Sequence, residues 1–315
     1  MIIFVWISLI VIGVWLIVWG AETFAENLGE ASVKLRVSSF ALAILLAGAE
    51  PEELATTITS TLRDAPAIAF GDVIGANIAI FLVALGIGAI IQPLPFGKKV
   101  MCYALFGFPI GVMAVGFIWD GKVTRLEGVI LLLLYVVYLT TIWLVEKKPP
   151  AMGETGVIES AKTHQDKTPV SKELLLVVAG LFAMMIGSIM LVETVRNISH
   201  IEEDQTMLAL TVVGFATAFE LVILCYSAAK QGATEVVIAG VVGSFAYNIT
   251  MTLGAAAVIR PLSITDATLL HKPAISMLLA LLLVILLALP KKQITSFMGW
   301  LLVISYPIFL LGMLI

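Results

Sequence analysis

Residues 47–53 read AGAEPEE, and they lie within the apolar stretch SSFALAILLAGAEPEELATTITSTL of residues 38–62. This stretch is long enough to cross a membrane, yet three carboxylates and a proline interrupt it. A charged side chain at the centre of a spanning helix costs about 2.5–3.5 kcal/mol on the insertion scale, so it usually faces a cavity and pairs with a cation or a proton. The interruption therefore indicates a membrane protein with a buried polar site.

The composition places the whole chain in the membrane class. Of its 315 residues, 60% are hydrophobic and 13% are charged, and the mean hydropathy is +1.08, whereas soluble domains have about 25% charged residues. Apolar runs of about 20 residues, the length that spans the hydrocarbon core, recur along the chain. We predict an all-α polytopic membrane protein with ten transmembrane helices, at about residues 2–21, 39–62, 68–91, 100–119, 127–145, 173–193, 207–229, 235–259, 273–290 and 295–314.

The distribution of Lys and Arg predicts how these spans are oriented. Counted from the N terminus, the odd-numbered loops hold twelve of the 18 Lys and Arg residues, and cytoplasmic loops carry the excess of these residues. We therefore predict a cell-membrane protein with both termini outside and with the polar stretch 146–172 as a flexible cytoplasmic linker. The linker separates a five-helix repeat at 1–145 from a second at 173–315. No concentrated basic run suggests a nucleic-acid partner, and the oligomeric state is left open.

The two halves match each other in one constant register. Glu52 aligns with Glu220, and Gly75 aligns with Gly243, so the position number rises by the same amount in both pairs (220 − 52 = 243 − 75 = 168). Because each half has five spans, the second half enters the bilayer in the opposite direction to the first. Such inverted repeats are common in secondary transporters, whose ion sites lie near the midplane on interrupted helices. We therefore predict that AGAEPEE and its mate GFATAFE, at residues 214–220, are breaks in the second and seventh spans.

Glu52 and Glu220 form the predicted centre of an ion site. Pro51 lacks an N–H group and leaves a backbone carbonyl one turn earlier without a donor, so backbone oxygens are candidate ligands as well. The full predicted set consists of the side chains of Glu52, Glu220, Asn248, Ser244, Thr217 and Asp72, together with the backbone oxygens of Ala47, Gly48 and Phe215. Glu50 and Glu53 are expected on other faces of the second span, either at an ion entrance or at the membrane interface. Asp72 has an alternative role as the N-cap residue of the third span.

The charge of the two glutamates suggests exchange. A dehydrated Ca²⁺ takes 6–8 oxygen ligands, and this set can supply them. Two carboxylates carry a charge of −2, which one divalent cation, two Na⁺ or two protons neutralise equally. An empty, doubly charged site is costly to move across a barrier, so one load has to replace another.

At these residues the chain resembles the cation/Ca²⁺ antiporter superfamily, which includes sodium/calcium and proton/calcium exchangers. Its members carry a motif such as G-T-S-L-P-E or G-N-A-x-E in each repeat, followed on the next helix by G-N-x-x-G-S-N. The matching segments here are AGAEPE at 47–52 and GDVIGAN at 71–77, then FATAFE at 215–220 and AGVVGSF at 239–245. The resemblance implies a secondary antiporter in which the first and sixth spans slide across the other eight.

The departures from the family motif bear on the counter-ion. In sodium/calcium exchangers, the Thr and Ser before the proline and the Ser of the glycine motif help to bind Na⁺. In the first repeat these positions are Gly48, Ala49 and Ala76, and in the second repeat hydroxyls remain only at Thr217 and Ser244. We therefore expect exchange of Ca²⁺ for H⁺, with Na⁺ coupling as the alternative. A Mg²⁺ or Mn²⁺ transporter of the same fold and a cation channel also stay open.

Enzymatic activity is not expected. The predicted spans contain no Ser/His or Cys/His arrangement and no cluster of metal-binding histidines, so we predict no cofactor apart from the transported ions.

Overall fold

The computed structural model of the protein describes residues 2–34, 50–146, 170–232 and 234–314, and this part of the chain is almost entirely helical. The helices are α1 (Ile2–Lys34), α2 (Pro51–Leu62), α3 (Pro66–Ala79), α4 (Leu85–Ile91), α5 (Lys98–Ile118), α6 (Arg125–Glu146), α7 (Val170–Ile198), α8 (Glu202–Leu208), α9 (Gly214–Thr217), α10 (Phe219–Lys230), α11 (Thr234–Ala246), α12 (Leu253–Ile259), α13 (Thr268–Ala288) and α14 (Ser296–Leu314). Three π-helical segments connect consecutive helices, namely π1 (Ile80–Ala84), π2 (Ala209–Val213) and π3 (Tyr247–Thr252). Four two-residue strands lie in the loops, namely β1 (Leu94–Pro95), β2 (Lys122–Val123), β3 (Leu262–Ser263) and β4 (Gln293–Ile294).

In the described part of the chain, eight helical stretches are long and apolar enough to cross a membrane. Each coincides with a predicted span, which confirms an all-helical, multi-pass architecture. Of the two other predicted spans, 100–119 is matched by α5, and α2 covers the described end of 39–62. Most of the predicted linker, residues 147–169, lies outside the described part of the chain. The total of ten spans therefore stays a prediction.

Contacts between loops show which loops lie at the same end of the helix bundle. Strand β1 pairs with β4 in antiparallel fashion, which joins the third loop to the ninth. Strand β2 pairs likewise with β3, which joins the fourth loop to the eighth. Arg260 and Asp64 form an ion pair of 2.9 Å between the eighth and second loops. Odd-numbered loops therefore meet odd-numbered ones and even-numbered loops meet even-numbered ones, as alternate membrane crossings require.

Several helices and strands of the first half have a counterpart in the second half at the same offset of 168 residues that the sequence shows. Helix α2 occupies 51–62 and α10 occupies 219–230, while β1 occupies 94–95 and β3 occupies 262–263. Both pairs have the same offset as Glu52 and Glu220. The π-helical segments π1 and π3 also begin at nearly corresponding positions, 80 and 247.

The predicted break in the seventh span is present. Helix α9 ends at Thr217 and α10 begins at Phe219, so the helix is interrupted at Ala218. In the first half, α2 begins at Pro51, which suits the first turn of a helix because its missing N–H would have no partner there. Residues 35–49, which precede it, lie outside the described part of the chain.

The two long helices α1 and α7 pack along each other through glycines. A Cβ atom at Gly187 would lie 2.5 Å from the backbone oxygen of Gly13, and one at Gly20 would lie 2.7 Å from that of Gly180. The residue number rises along α1 as it falls along α7, so the helices run antiparallel. Small residues allow this backbone approach, as they commonly do in membrane helix pairs.

We expect Gly187→Leu to destabilise the protein by about 1–3 kcal/mol, because the added side chain has no room between α1 and α7. The thermal midpoint of the detergent-purified protein provides the measurement. Gly116→Leu is the matched control, since a Cβ atom at Gly116 in α5 meets nothing within 4 Å. Equal midpoints for the two variants would contradict the close packing of α1 on α7.

Candidate cation site

Three carboxylate side chains lie together in the interior of the bundle. Glu50 is 4% exposed, and Glu53 and Asp72 are fully buried. Glu50 and Asp72 are both close enough to Glu53 for their charges to repel its carboxylate. We call Glu50, Glu53 and Asp72 the acidic cluster. Such intramembrane carboxylates are costly and mark ion pathways.

Neutral side chains from both halves of the chain surround the acidic cluster. The Asp72 carboxylate accepts hydrogen bonds from the hydroxyls of Thr57 (3.1 Å) and Thr217 (3.0 Å). The side-chain amide of Asn248 donates to Glu50 at 2.9 Å. Ser244 also lies beside Glu50, and Thr217 lies next to Glu53.

Hydrogen bonding leaves several oxygens in this region unsatisfied. One carboxylate oxygen of Glu50, both of Glu53 and the amide oxygen of Asn248 are buried and have no hydrogen-bond partner among the described residues. No Lys, Arg or His is found among the buried polar side chains of the described residues. Buried polar atoms are nearly always satisfied, so four unsatisfied acceptors in one place indicate a bound cation or added protons.

The acidic cluster cannot hold a metal ion with carboxylates alone. Within the described residues, no three His, Cys, Asp or Glu side chains converge closely enough for that. A cation therefore needs amide, hydroxyl or backbone oxygens as additional ligands. Hard cations such as Ca²⁺ take this mixture of oxygen ligands.

Local helix geometry positions these side chains. Glu50 precedes α2 in a non-helical conformation (φ −115°, ψ 86°), and Glu53 lies in the first turn of α2. The positive end of the helix dipole favours carboxylates at this end of a helix. Asn248 is the second residue of π3, and π-helical turns inside α-helices are frequent at functional sites.

The structure brings together four of the predicted ligands, namely Asp72, Thr217, Ser244 and Asn248. Phe215 packs its ring against Phe219 and Tyr306. Ala47 and Gly48, whose backbone oxygens were predicted ligands, lie outside the described residues.

Glu52 and Glu220 lie in different environments. Glu52 is 2% exposed, and it shares a face of α2 with Thr56, whose hydroxyl lies 3.1 Å from that of Ser188 in α7. Glu220 is partly exposed in the first turn of α10. Their role as the central pair of the site stays a prediction.

Two expectations about other acidic residues are wrong. Glu50 and Glu53 were expected at an entrance or interface, but both are buried in the acidic cluster. The reason is that α2 begins only at Pro51, so Glu50 lies before the helix instead of on its outer face. Asp72 is not an N-cap residue, because α3 begins at Pro66. No signal in the sequence separates Glu53 from Glu52 here, because each has a threonine four residues later on its own helical face, Thr57 and Thr56.

Comparison with known proteins identifies the family. The family model for the sodium/calcium exchanger protein matches residues 5–144 and 172–315. The chain belongs to the sodium/calcium exchanger protein family. It is therefore a membrane transporter of the cation-exchanger class and not an enzyme, which confirms the predicted superfamily.

Individual relatives are distant but match along most of the chain. An uncharacterized membrane protein of Methanocaldococcus jannaschii, MJ0091, is 26% identical over 88% of this chain and 86% of its own. The sodium/calcium exchanger MaX1 of Methanosarcina acetivorans is 23% identical over 96% of both chains. Among solved structures, the sodium-calcium exchanger NCX_Mj soaked with 100 mM Na⁺ and 10 mM Sr²⁺ matches with a TM-score of 0.60 at 22% identity over 98% of both chains. This last similarity supports the fold.

We expect Glu53→Gln to stabilise the cation-free protein at alkaline pH by about 1–3 kcal/mol, because it removes an uncompensated buried charge while keeping the side-chain shape. Thermal midpoints in a chelator-containing buffer provide the measurement. Glu203→Gln, at an exposed position, is the control and is expected to change stability by less than about 0.5 kcal/mol. If Glu53→Gln destabilises the protein, Glu53 is not in a repulsive cluster.

Proposed function

We propose that this protein exchanges a divalent cation, with Ca²⁺ as the expected cargo, for protons at the acidic cluster. The observation that carries the proposal is the burial of Glu50, Glu53 and Asp72 with unsatisfied oxygens and with no basic side chain among the described buried residues. A family of cation exchangers supplies the transport class. The cell membrane is the proposed location, with both termini outside.

The ligand chemistry favours Ca²⁺ over Mg²⁺. The unsatisfied oxygens of Glu50, Glu53 and Asn248 number four, and oxygens of Asp72, Thr217 and backbone carbonyls can extend the set towards the 6–8 that Ca²⁺ takes. Mg²⁺ requires near-ideal octahedral geometry and gives up its water reluctantly. A loose arrangement of mixed oxygens suits the larger ion.

Charge balance allows protons as the counter-ion, and two Na⁺ would satisfy it equally. Three ionised carboxylates carry −3, and a bound divalent cation balances two of them. If the third carboxylate keeps a proton throughout, the cluster is neutral with one Ca²⁺ or with two further protons. Exchange of two protons per Ca²⁺ therefore moves no uncompensated charge through the membrane.

Na⁺ coupling is the second candidate. The hydroxyls of Thr217 and Ser244 supply oxygens close to the carboxylates, and the similar proteins MaX1 and NCX_Mj are named as sodium/calcium exchangers. Against this, Gly48, Ala49 and Ala76 bring no side-chain oxygen to the first half.

The recurrence of element boundaries supports alternating access between two inverted five-helix repeats, at 1–145 and 173–315. Helices α2 and α10, which occupy matching positions in the two halves, would then carry equivalent parts of the site. The pair α1 and α7 would slide across the other helices, since these two pack extensively on each other. Glu52, on the α2 face shared with Thr56, would line the ion route that this movement opens. Glu220 would have the equivalent role in the second half.

Flux in proteoliposomes tests the proposal. We expect an imposed pH gradient to drive Ca²⁺ movement, an imposed Na⁺ gradient at constant pH to have little effect, and Glu53→Gln to lower the pH-driven flux at least tenfold. Glu203→Gln is the control. Flux driven only by Na⁺ would establish the second candidate, and Ca²⁺ flux independent of both gradients would indicate a channel.

The roles of the two groups of acids can be separated. We expect Glu53→Gln and Asp72→Asn to weaken Ca²⁺ binding at least tenfold, because both remove charge from the acidic cluster. Glu52→Gln is expected to slow transport while changing Ca²⁺ affinity less than about threefold. Isothermal titration measures affinity and tracer uptake measures rate. If Glu52→Gln weakens Ca²⁺ binding at least tenfold while Glu53→Gln and Asp72→Asn do not, the central role returns to Glu52 and Glu220.

A further inference from the structure

A long apolar groove of about 530 Å³ lies on the outside of the bundle, away from the acidic cluster. It is formed by α13 and α14 over π1 and the end of α3, and its lining includes Lys272, Ile275, Leu279, Leu283, Phe309 and Gly312. Its volume is in the range of about 300–1,000 Å³ that is typical of ligand sites. The sole charged side chain in its lining is Lys272.

The groove has the depth of one leaflet of a bilayer. Lys272 lies in the second turn of α13, and Leu283 lies eleven residues further along the same helix. At a rise of about 1.5 Å per residue this separation is about 17 Å. The hydrocarbon core is about 30 Å thick, so the groove extends from the interface to near the midplane.

The polar end of the groove has features of a head-group site. Lys272 is exposed and forms no ion pair with any residue that the structure describes. One oxygen of the Asp266 carboxylate, Oδ1, accepts hydrogen bonds from the backbone N–H and the hydroxyl of Thr268, and Asp266 forms no ion pair with Lys272. Next to Lys272, the ring of His271 stacks on that of Trp119, with centroids 4.1 Å apart, and Trp is enriched where membrane helices meet the interface.

We propose that this groove binds a phospholipid with an anionic head group. One acyl chain lies in the groove along α13 and α14, and the phosphate of the head group contacts the Lys272 ammonium. An apolar slot of leaflet depth that ends in an unpaired cation matches both parts of such a lipid.

Two variants test the two parts of the site separately. Lys272→Gln removes the charge, and one Lys near a membrane surface contributes about 1 kcal/mol to binding an anionic lipid. We therefore expect the affinity for phosphatidylglycerol to fall about fivefold and that for phosphatidylcholine to stay unchanged. Gly312→Leu adds bulk to the groove lining at a position where a Cβ atom meets nothing within 4 Å. We expect it to weaken the binding of both lipids.

Native mass spectrometry of the purified full chain, titrated with each lipid, gives these affinities. Lys122→Gln controls for a surface lysine at the same end of the bundle, and Gly116→Leu controls for added bulk on another open helix face. Unchanged lipid binding in Gly312→Leu would overturn the proposal, as would an equal loss of both lipids in Lys272→Gln. A dimer that dissociates only in Gly312→Leu would assign the groove to a second copy of the chain. None of these outcomes depends on which ions the protein transports.

Discussion

The structure depends on the burial of three carboxylates without a basic partner among the described buried side chains. Ion pairs with basic side chains would have neutralised Glu50, Glu53 and Asp72 permanently. A transported cation would then have found no negative charge to neutralise. Hydroxyl and amide donors satisfy only part of the carboxylate oxygens. The remaining electrostatic cost is large in an apolar interior, and a mobile cation or proton has to offset it. In the proposed function, the same cost that makes the site unstable when empty and ionised is the physical basis of exchange.

A nearly symmetric scaffold carries this asymmetric site. Element boundaries recur in one register between the halves, yet the positions equivalent to the acidic cluster are Ala218, Leu221 and Gly240, which bear no charge. The second half contributes neutral donors instead, and Asn248 takes the place that Ile80 has in the first half. The two halves therefore share several element boundaries, while all three carboxylates of the acidic cluster come from the first half.

Most of the fold was predictable, because a transmembrane span is recognised from its length and apolar composition. The rotation of the helix about its own axis does not enter that prediction. The apolar runs of about 20 residues coincide with the observed helices. The proximity of the candidate ligands Asp72, Thr217, Ser244 and Asn248 was also predictable, since they lie on segments matched between the halves. The inward face of the second span was not, because it depends on where α2 begins. With Pro51 as the first helical residue, Glu50 leaves the helical pattern, and an argument based on helical faces assigns it wrongly.

The hydrogen bonds between the two halves also bear on the proposed transport movement. The hydrogen bonds from Asn248 to Glu50 and from Thr217 to Asp72 cross between residues 198 and 145 positions apart, so they join the two halves directly. Both bonds lie among segments other than α1 and α7, so the sliding proposed for that pair leaves the oxygens around the cluster in place. In the proposed function the ligand set therefore stays assembled, and the position of α1 and α7 decides from which side of the membrane ions reach it.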